Sequence, residues 1–239
     1  MRFFRKCQRF LDKTAFTGYA RFAMRVILVH GFNSSPDQNF HPWLAGQLRD
    51  RGFTVVAPAL NLKSGEDFKL SEIVEEMKKA IGAVKNDDIF LGHSLGGLVM
   101  LNFLEAVEMV ETPRAAILVA APWKVAKPEL RQLFMADLDA DVAIWKAREF
   151  FVVHSKDDKL VPFEHGEKLA GYLKAKLVAT EVDGHYMDAE YPALLALVEQ
   201  IAATPFEYAP GQSLKNDYEN VALADRIAPK ETHKPDWMT

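Results

Sequence analysis

The stretch LGHSLGGLVML, Leu91–Leu101, decides how the chain is read. An apolar run ends at Gly92, glycines at 92, 96 and 97 surround Ser94, and a second apolar run starts at once. Gly92-His93-Ser94-Leu95-Gly96 fits G-x-S-x-G, a pattern that carries meaning only between a strand and a helix. A sharp strand-to-helix turn holds its central residue in a strained backbone conformation. The residues two before and two after must then be small, because side chains there would collide with the neighbouring strand and helix. Such a turn lifts the serine hydroxyl to the carboxyl edge of a sheet. It also leaves Leu95 N–H at a helix N-terminus, where unpaired amides and the dipole favour developing negative charge. The competing reading is a plain glycine-rich turn in which Ser94 only caps the helix.

The flanking sequence supplies the strand and the helix. From Arg25 onward short apolar runs alternate with amphipathic segments. Strands are expected at 25–31, 53–60 (broken by Pro58), 88–92, 115–121, 150–155 and 176–182. Helices are expected at 39–52 with Gly52 as its stop, 70–84 with Ser71 as N-cap, 95–108, 163–175 and 190–203, with one or two more inside 128–147. Trp43, Leu44 and Leu48 share one helix face, and Ile73, Val74, Met77 and Ile81 another. Strand–helix alternation with near-continuous Val/Ile/Leu strands predicts an α/β fold: a predominantly parallel sheet of about six or seven strands with helices on both faces. Right-handed crossovers then gather the strand carboxyl ends along one edge, where ligands bind.

A serine hydroxyl needs a base to take its proton, and the base needs an acid to hold its ring. The expected chain order is Ser, Asp, His, each at a strand end. The strand at 150–155 runs into KDDKLVP, offering Asp157 and Asp158; the strand at 176–182 runs into DGHYMD, offering His185. Asp158 is preferred because it begins D-x-x-V-P, and Asp157 is expected to support the loop. His30 and His154 also end strands. His93 should point away from the reacting centre, His41 and His165 sit on helices, and His233 is in the tail. Asp183 and Asp188 lie near His185 in sequence but would need a different geometry. A second oxyanion donor is expected from HGFNSSP, 30–36, after the first strand: the backbone N–H of Phe32, ahead of Asn33, beside Leu95 N–H. Gly31 allows the close approach there.

The remaining features bound the reading. At 239 residues the chain fits one large domain with extensions, set here at 1–24 (basic), 25–204 (catalytic domain) and 205–239 (an arm or tail with Pro205, Pro210, Pro229 and Pro235). Residues 1–25 carry seven Lys/Arg against Asp12, with Phe3, Phe4, Cys7, Phe10 and Leu11 at helical spacing. This segment lacks the long apolar region and small-residue cleavage site of a signal peptide. A helix packed on the domain is favoured over membrane contact, and Met24 offers an alternative start. A net charge of −4 gives no reason to expect nucleic acid as a partner. A single cysteine rules out an internal disulfide framework and fits a reducing, cytoplasmic location. No H-E-x-x-H, paired Cys/His spacing or phosphate loop is present.

Together, HG-x after the first strand, GHSLGG at the turn, D-x-x-V-P and the final G-H resemble the α/β-hydrolase superfamily over roughly residues 24–203. SKDDKLVPFE and NFHPWL are similar to the small serine-hydrolase family that includes retinoblastoma-binding protein 9. The resemblance implies Ser94, Asp158 and His185 as a catalytic triad, carboxylic-ester hydrolysis and no cofactor. Only 28 residues separate Ala121 from Phe150, too few for a large cap domain. A fairly open pocket follows, with Trp43, Trp123 and Trp145 as candidate walls. The expected function is a serine hydrolase cleaving small esters or thioesters through an acyl-enzyme on Ser94, acting on a small-molecule acyl substrate as a monomer or homodimer. Acyl transfer, amide or C–C cleavage by the same triad, or a binding protein with a vestigial triad, are the alternatives.

Overall fold

The computed structural model describes residues 24–63, 69–125, 130 and 140–204. The N-terminal segment 1–23 and the tail 205–239 lie outside them. Six strands form one parallel sheet in the order β2-β1-β3-β4-β5-β6. They are β1 (Arg25–Val29), β2 (Thr54–Val56), β3 (Ile89–His93), β4 (Ala115–Val119), β5 (Glu149–Ser155) and β6 (Lys176–Thr180). The helices are α1 (His41–Asp50), α2 (Leu70–Ile81), α3 (Leu95–Ala106), α4 (Ala140–Ala143), α5 (Phe163–Tyr172) and α6 (Pro192–Ala203).

Side chains alternate across the sheet with the period of two that a pleated strand imposes. Ile27, Val29, Phe90, Leu118 and Val152 point to one face, under α2, α3 and α5. Val26, Leu28, Leu91, Ile117 and Val153 point to the other, under α1 and α6. Both faces are covered, so the central strands are apolar throughout. α3 is buried nearly all round, as its run of Leu, Val, Met and Phe requires. β6 departs from that pattern. It is the edge strand, and Leu177 and Val178 are 39% and 37% exposed.

Two expected elements differ from those observed, and a third is described only in part. β2 spans three residues rather than 53–60, because the chain leaves the ladder after Val56. Pro58 has no N–H to donate, and Leu60 N–H goes to His30 Nε2 instead of a neighbouring strand. α2 starts at Leu70 with Lys69 at its N-cap, so Ser71 falls inside the first turn and caps nothing. The Lys69 carbonyl already accepts from Glu72 and Ile73 N–H. In the 128–147 region, residue 130 and Ala140–Ala143 are helical, and 126–129 and 131–139 lie outside the described residues. No cap domain is evident among the described residues.

The amino edge of the sheet is pinned by an ion pair whose carboxylate is buried. Arg25 donates Nε–H to Asp88 Oδ1 at 2.8 Å and Nη2–H to Oδ2 at 2.6 Å, and donates further to the carbonyls of Ile81 and Ala83. Asp88 is buried and also accepts from Lys85 N–H. Removing one partner strands a buried charge. Arg25→Met is therefore expected to lower the unfolding free energy by about 3–5 kcal/mol, read by urea denaturation. Turnover per folded molecule should not change, because the functional groups gather at the opposite edge.

Candidate active site

Ser94 stands between β3 and α3 with φ 53° and ψ −128°. This is the left-handed half of backbone space, which a residue with a Cβ rarely occupies. The turn is held there by Ser94 N–H donating to Val119 O at 2.8 Å and Gly97 N–H donating to Ser94 O at 3.0 Å. The glycines make room for it. A Cβ on Gly96 would overlap the carbonyl oxygens of His30 and Val29, and one on Gly92 would lie 2.6 Å from Gly97 Cα. Ser94 occupies the N-cap position of α3, yet its side chain makes no capping bond. Its Oγ lies 2.9 Å from His185 Nε2 instead.

His185 follows β6 on a loop that includes Gly184 (φ 53°) and Tyr186 (φ 56°). Its Nδ1 lies 2.8 Å from Asp158 Oδ2. A carboxylate only accepts, so Nδ1 carries the proton and Nε2 is left to accept from the serine hydroxyl. Asp158, on the turn after β5, is buried. Its Oδ1 accepts from the N–H groups of Leu160 and Val161 at 2.8 and 2.9 Å. Burial alone would push this carboxyl up; the bonds from His154, His185 and Val161 outweigh it and hold the group well below the usual carboxylate range. Asp158, not Asp157, is the carboxylate in contact with His185. Asp157 takes the supporting part: its Oδ1 accepts from Ser155 Oγ–H at 2.6 Å and Gly184 N–H at 2.9 Å. Ser155 Oγ in turn accepts from Asp183 N–H at 3.0 Å.

The loop after β1 closes the site from the other side. A Cβ on Gly31 would lie 3.0 Å from Ser94 Cβ, so the Gly31–Phe32 backbone runs directly alongside the serine. His30 braces this loop, donating from Nδ1 to Gly31 O at 2.9 Å while its Nε2 accepts from Leu60. Asn33 (φ 53°) donates its N–H to Leu62 O at 2.7 Å. Leu95, the first residue of α3, has an amide with no intrahelical partner by construction.

The remaining candidates separate. His154 is buried behind Asp158 and donates from Nε2 to Val161 O at 2.8 Å. His165 Nδ1 accepts from Trp123 N–H at 2.9 Å. His41 is buried on α1, and His233 lies outside the described residues. His93, which the sequence leaves without a part in the site, has one: its Nε2 meets the backbone carbonyl of His185 at 2.9 Å. No motif signals that contact, because it joins residues 92 positions apart. Of the tryptophans, Trp123 follows β4 at the carboxyl edge and meets Tyr172 edge-on at 4.7 Å. Trp43 packs on the core cluster of the opposite sheet face. Trp145 is exposed and precedes β5 at the amino edge, away from Ser94, so it is no wall of the site.

A parallel sheet under two helical layers, with a serine on a strained turn and a histidine and a carboxylate from later strand ends, is the arrangement of an α/β hydrolase. The sequence matches the serine hydrolase family over residues 26–196, and the chain belongs to that family. YdeN of Bacillus subtilis strain 168 is 27% identical over 185 residues, covering 76% of this chain and 96% of YdeN. Its crystal structure superposes with a TM-score of 0.70 at 22% identity, over 76% of this chain and 100% of that one. Est1E of Butyrivibrio proteoclasticus, solved with ferulic acid bound, gives a TM-score of 0.59 at 16% identity, covering 77% of this chain and 90% of its own. The monoacylglycerol lipase of Paleococcus ferrophilus gives 0.54 at 15% identity, over 75% and 94%. At these identities the structural matches speak for the fold. No helix among the described residues is long and apolar enough to cross a membrane.

The buried histidines make stability depend on pH. Burial lowers His41 to about 4 and His93 to about 3. An unfolded histidine titrates near 6.5. Below that pH the unfolded chain takes up protons that these two folded rings refuse. Their contribution is thus intact above about pH 6.5 and is lost as the pH falls, by about 1.4 kcal/mol per pH unit for each ring. Urea midpoints taken from pH 7.5 to 5 should drop steeply, and His41→Gln should make the decline shallower.

Proposed function

We propose that the protein hydrolyses small carboxylic esters or thioesters through an acyl-enzyme on Ser94. The observation that carries this reading is the unbroken relay from Ser94 Oγ to His185 at 2.9 Å and from His185 to Asp158 at 2.8 Å. Ser94 attacks the acyl carbon while His185 Nε2 takes the hydroxyl proton. Asp158 orients the ring and stabilises the imidazolium that forms. Its depressed carboxyl keeps it ionised throughout. The oxyanion is met by the N–H groups of Phe32 and Leu95, which flank the serine from the β1 loop and the start of α3. His185 returns its proton to the leaving alcohol or thiol. A water then adds to the acyl-enzyme with His185 again as base, releasing the acid and restoring Ser94.

Phe32 and Trp123, which follow β1 and β4 at this edge, pack on the core. The test joins labelling to turnover. Wild type should react with a fluorophosphonate probe and cleave p-nitrophenyl acetate, and Ser94→Ala should lose both. Asp158→Asn should lower kcat on the order of 10⁴-fold, because the imidazole loses the acceptor that sets its tautomer. Labelling retained in Ser94→Ala would overturn the reading.

A further inference from the structure

We infer that His93, the residue immediately before the nucleophile, is a positioning residue that holds the base His185 by donating a hydrogen bond to its backbone carbonyl. This inference rests on the proposed Ser94–His185–Asp158 relay. The motivating contact is His93 Nε2 to His185 O at 2.9 Å. A carbonyl only accepts, so Nε2 must carry the proton, and in the neutral ring Nδ1 is then bare. That Nδ1 is buried without a hydrogen-bond partner. Burial opposes charging the ring, which keeps this arrangement intact at neutral pH.

An imidazole with one orphaned nitrogen is an unfavourable choice for a buried position. His93 packs edge-on to Phe40 at 5.3 Å and lies 5.3 Å from the His185 ring, centroid to centroid. A leucine would fill that space with no polar atom to satisfy. What the imidazole adds is the bond to His185 O. The rest of the His185 loop shows why that bond is needed. On the other side of residue 185, Gly184 N–H is held by Asp157 and Asp183 N–H by Ser155, both from the end of β5. His93 supplies the matching hold from the end of β3. The peptide before Gly184 and the peptide after His185 are then fixed to two different strands of the sheet. Only the side-chain torsions remain to set its reach to Ser94 and Asp158. Tyr186, next in the chain, sits at φ 56° with its hydroxyl against Thr180 Oγ1 at 2.8 Å. The loop is thus held in a conformation it would not adopt unaided.

Two substitutions separate the hydrogen bond from the packing. His93→Leu keeps the apolar contacts and removes the donor. His93→Gln places an amide nitrogen as many bonds from Cβ as Nε2 and restores it. Circular dichroism and a thermal melt establish that both variants fold. With p-nitrophenyl acetate, His93→Leu is expected to lower kcat on the order of 10–100-fold with KM within about twofold, as a misplaced general base would. His93→Gln should return kcat to within about threefold of wild type. A proton NMR spectrum supplies a readout independent of turnover: the downfield Nδ1–H resonance of His185 should persist in wild type and His93→Gln and broaden or vanish in His93→Leu. Wild-type kcat and an unchanged resonance in His93→Leu would overturn the inference, as would a His93→Gln variant as impaired as His93→Leu. If the Ser94 assignment fails while the resonance still tracks residue 93, the relay reading is wrong and the positioning contact stands.

Discussion

The site depends on how closely α3 approaches the carboxyl ends of β1 and β3. Gly96 lies against the carbonyl oxygens of Val29 and His30, and Gly92 lies against Gly97, with no room at either position for a single methyl group. That contact sets the angle at which the chain leaves β3. Once it is set, Ser94 has nowhere to go but φ 53°, and its hydroxyl stands clear of the sheet edge. Local backbone strain of about 1–3 kcal/mol is offset by burial of α3, whose residues Leu98 through Leu101 and Phe103 are nearly inaccessible.

Around this turn the sheet uses buried histidines as connectors. His30 follows β1 and bonds the Gly31 carbonyl. His93 ends β3 and bonds the His185 carbonyl. His154, near the end of β5, bonds the Val161 carbonyl. Each ring leaves a strand at the carboxyl edge and ties down one of the three loops that bear the proposed oxyanion donor, the base and the acid. An imidazole suits this role because its ring N–H can donate to a carbonyl and the ring is rigid enough to fix the loop it holds. Ser155 and Asp157 add a second tie between the acid and base loops. The loops stand on the rigid part of the molecule through these contacts, and the relay distances of 2.9 and 2.8 Å result.

The two ends of the sheet are chemically different. The amino edge carries the bidentate Arg25–Asp88 pair, a structural use of charge. At the carboxyl edge the carboxylate of Asp158 is surrounded by donors, which hold it below the usual carboxylate range against the upward push of burial. An acid–base pair thus braces the amino edge, and another forms part of the proposed relay at the carboxyl edge.

Much of this is legible in the chain. Alternation of apolar runs and amphipathic segments predicts the parallel sheet, because strands buried on both faces must be apolar throughout. The spacing of Gly92, Ser94 and Gly96 predicts the turn, because only that spacing clears its two crowded positions. The order Ser94, Asp158, His185 places the three groups at strand ends, which a parallel sheet brings to one edge. Local pattern is a poor guide where another segment decides the outcome. β2 stops at Val56 because His30 takes the amide of Leu60, and Trp145 falls at the wrong edge because of where β5 begins. The bond from His93 to His185 has no local signature at all. Periodicity and steric bulk act between near neighbours and can be read along a chain. A hydrogen bond between residues 92 positions apart exists only once the sheet has brought β3 beside the loop that follows β6.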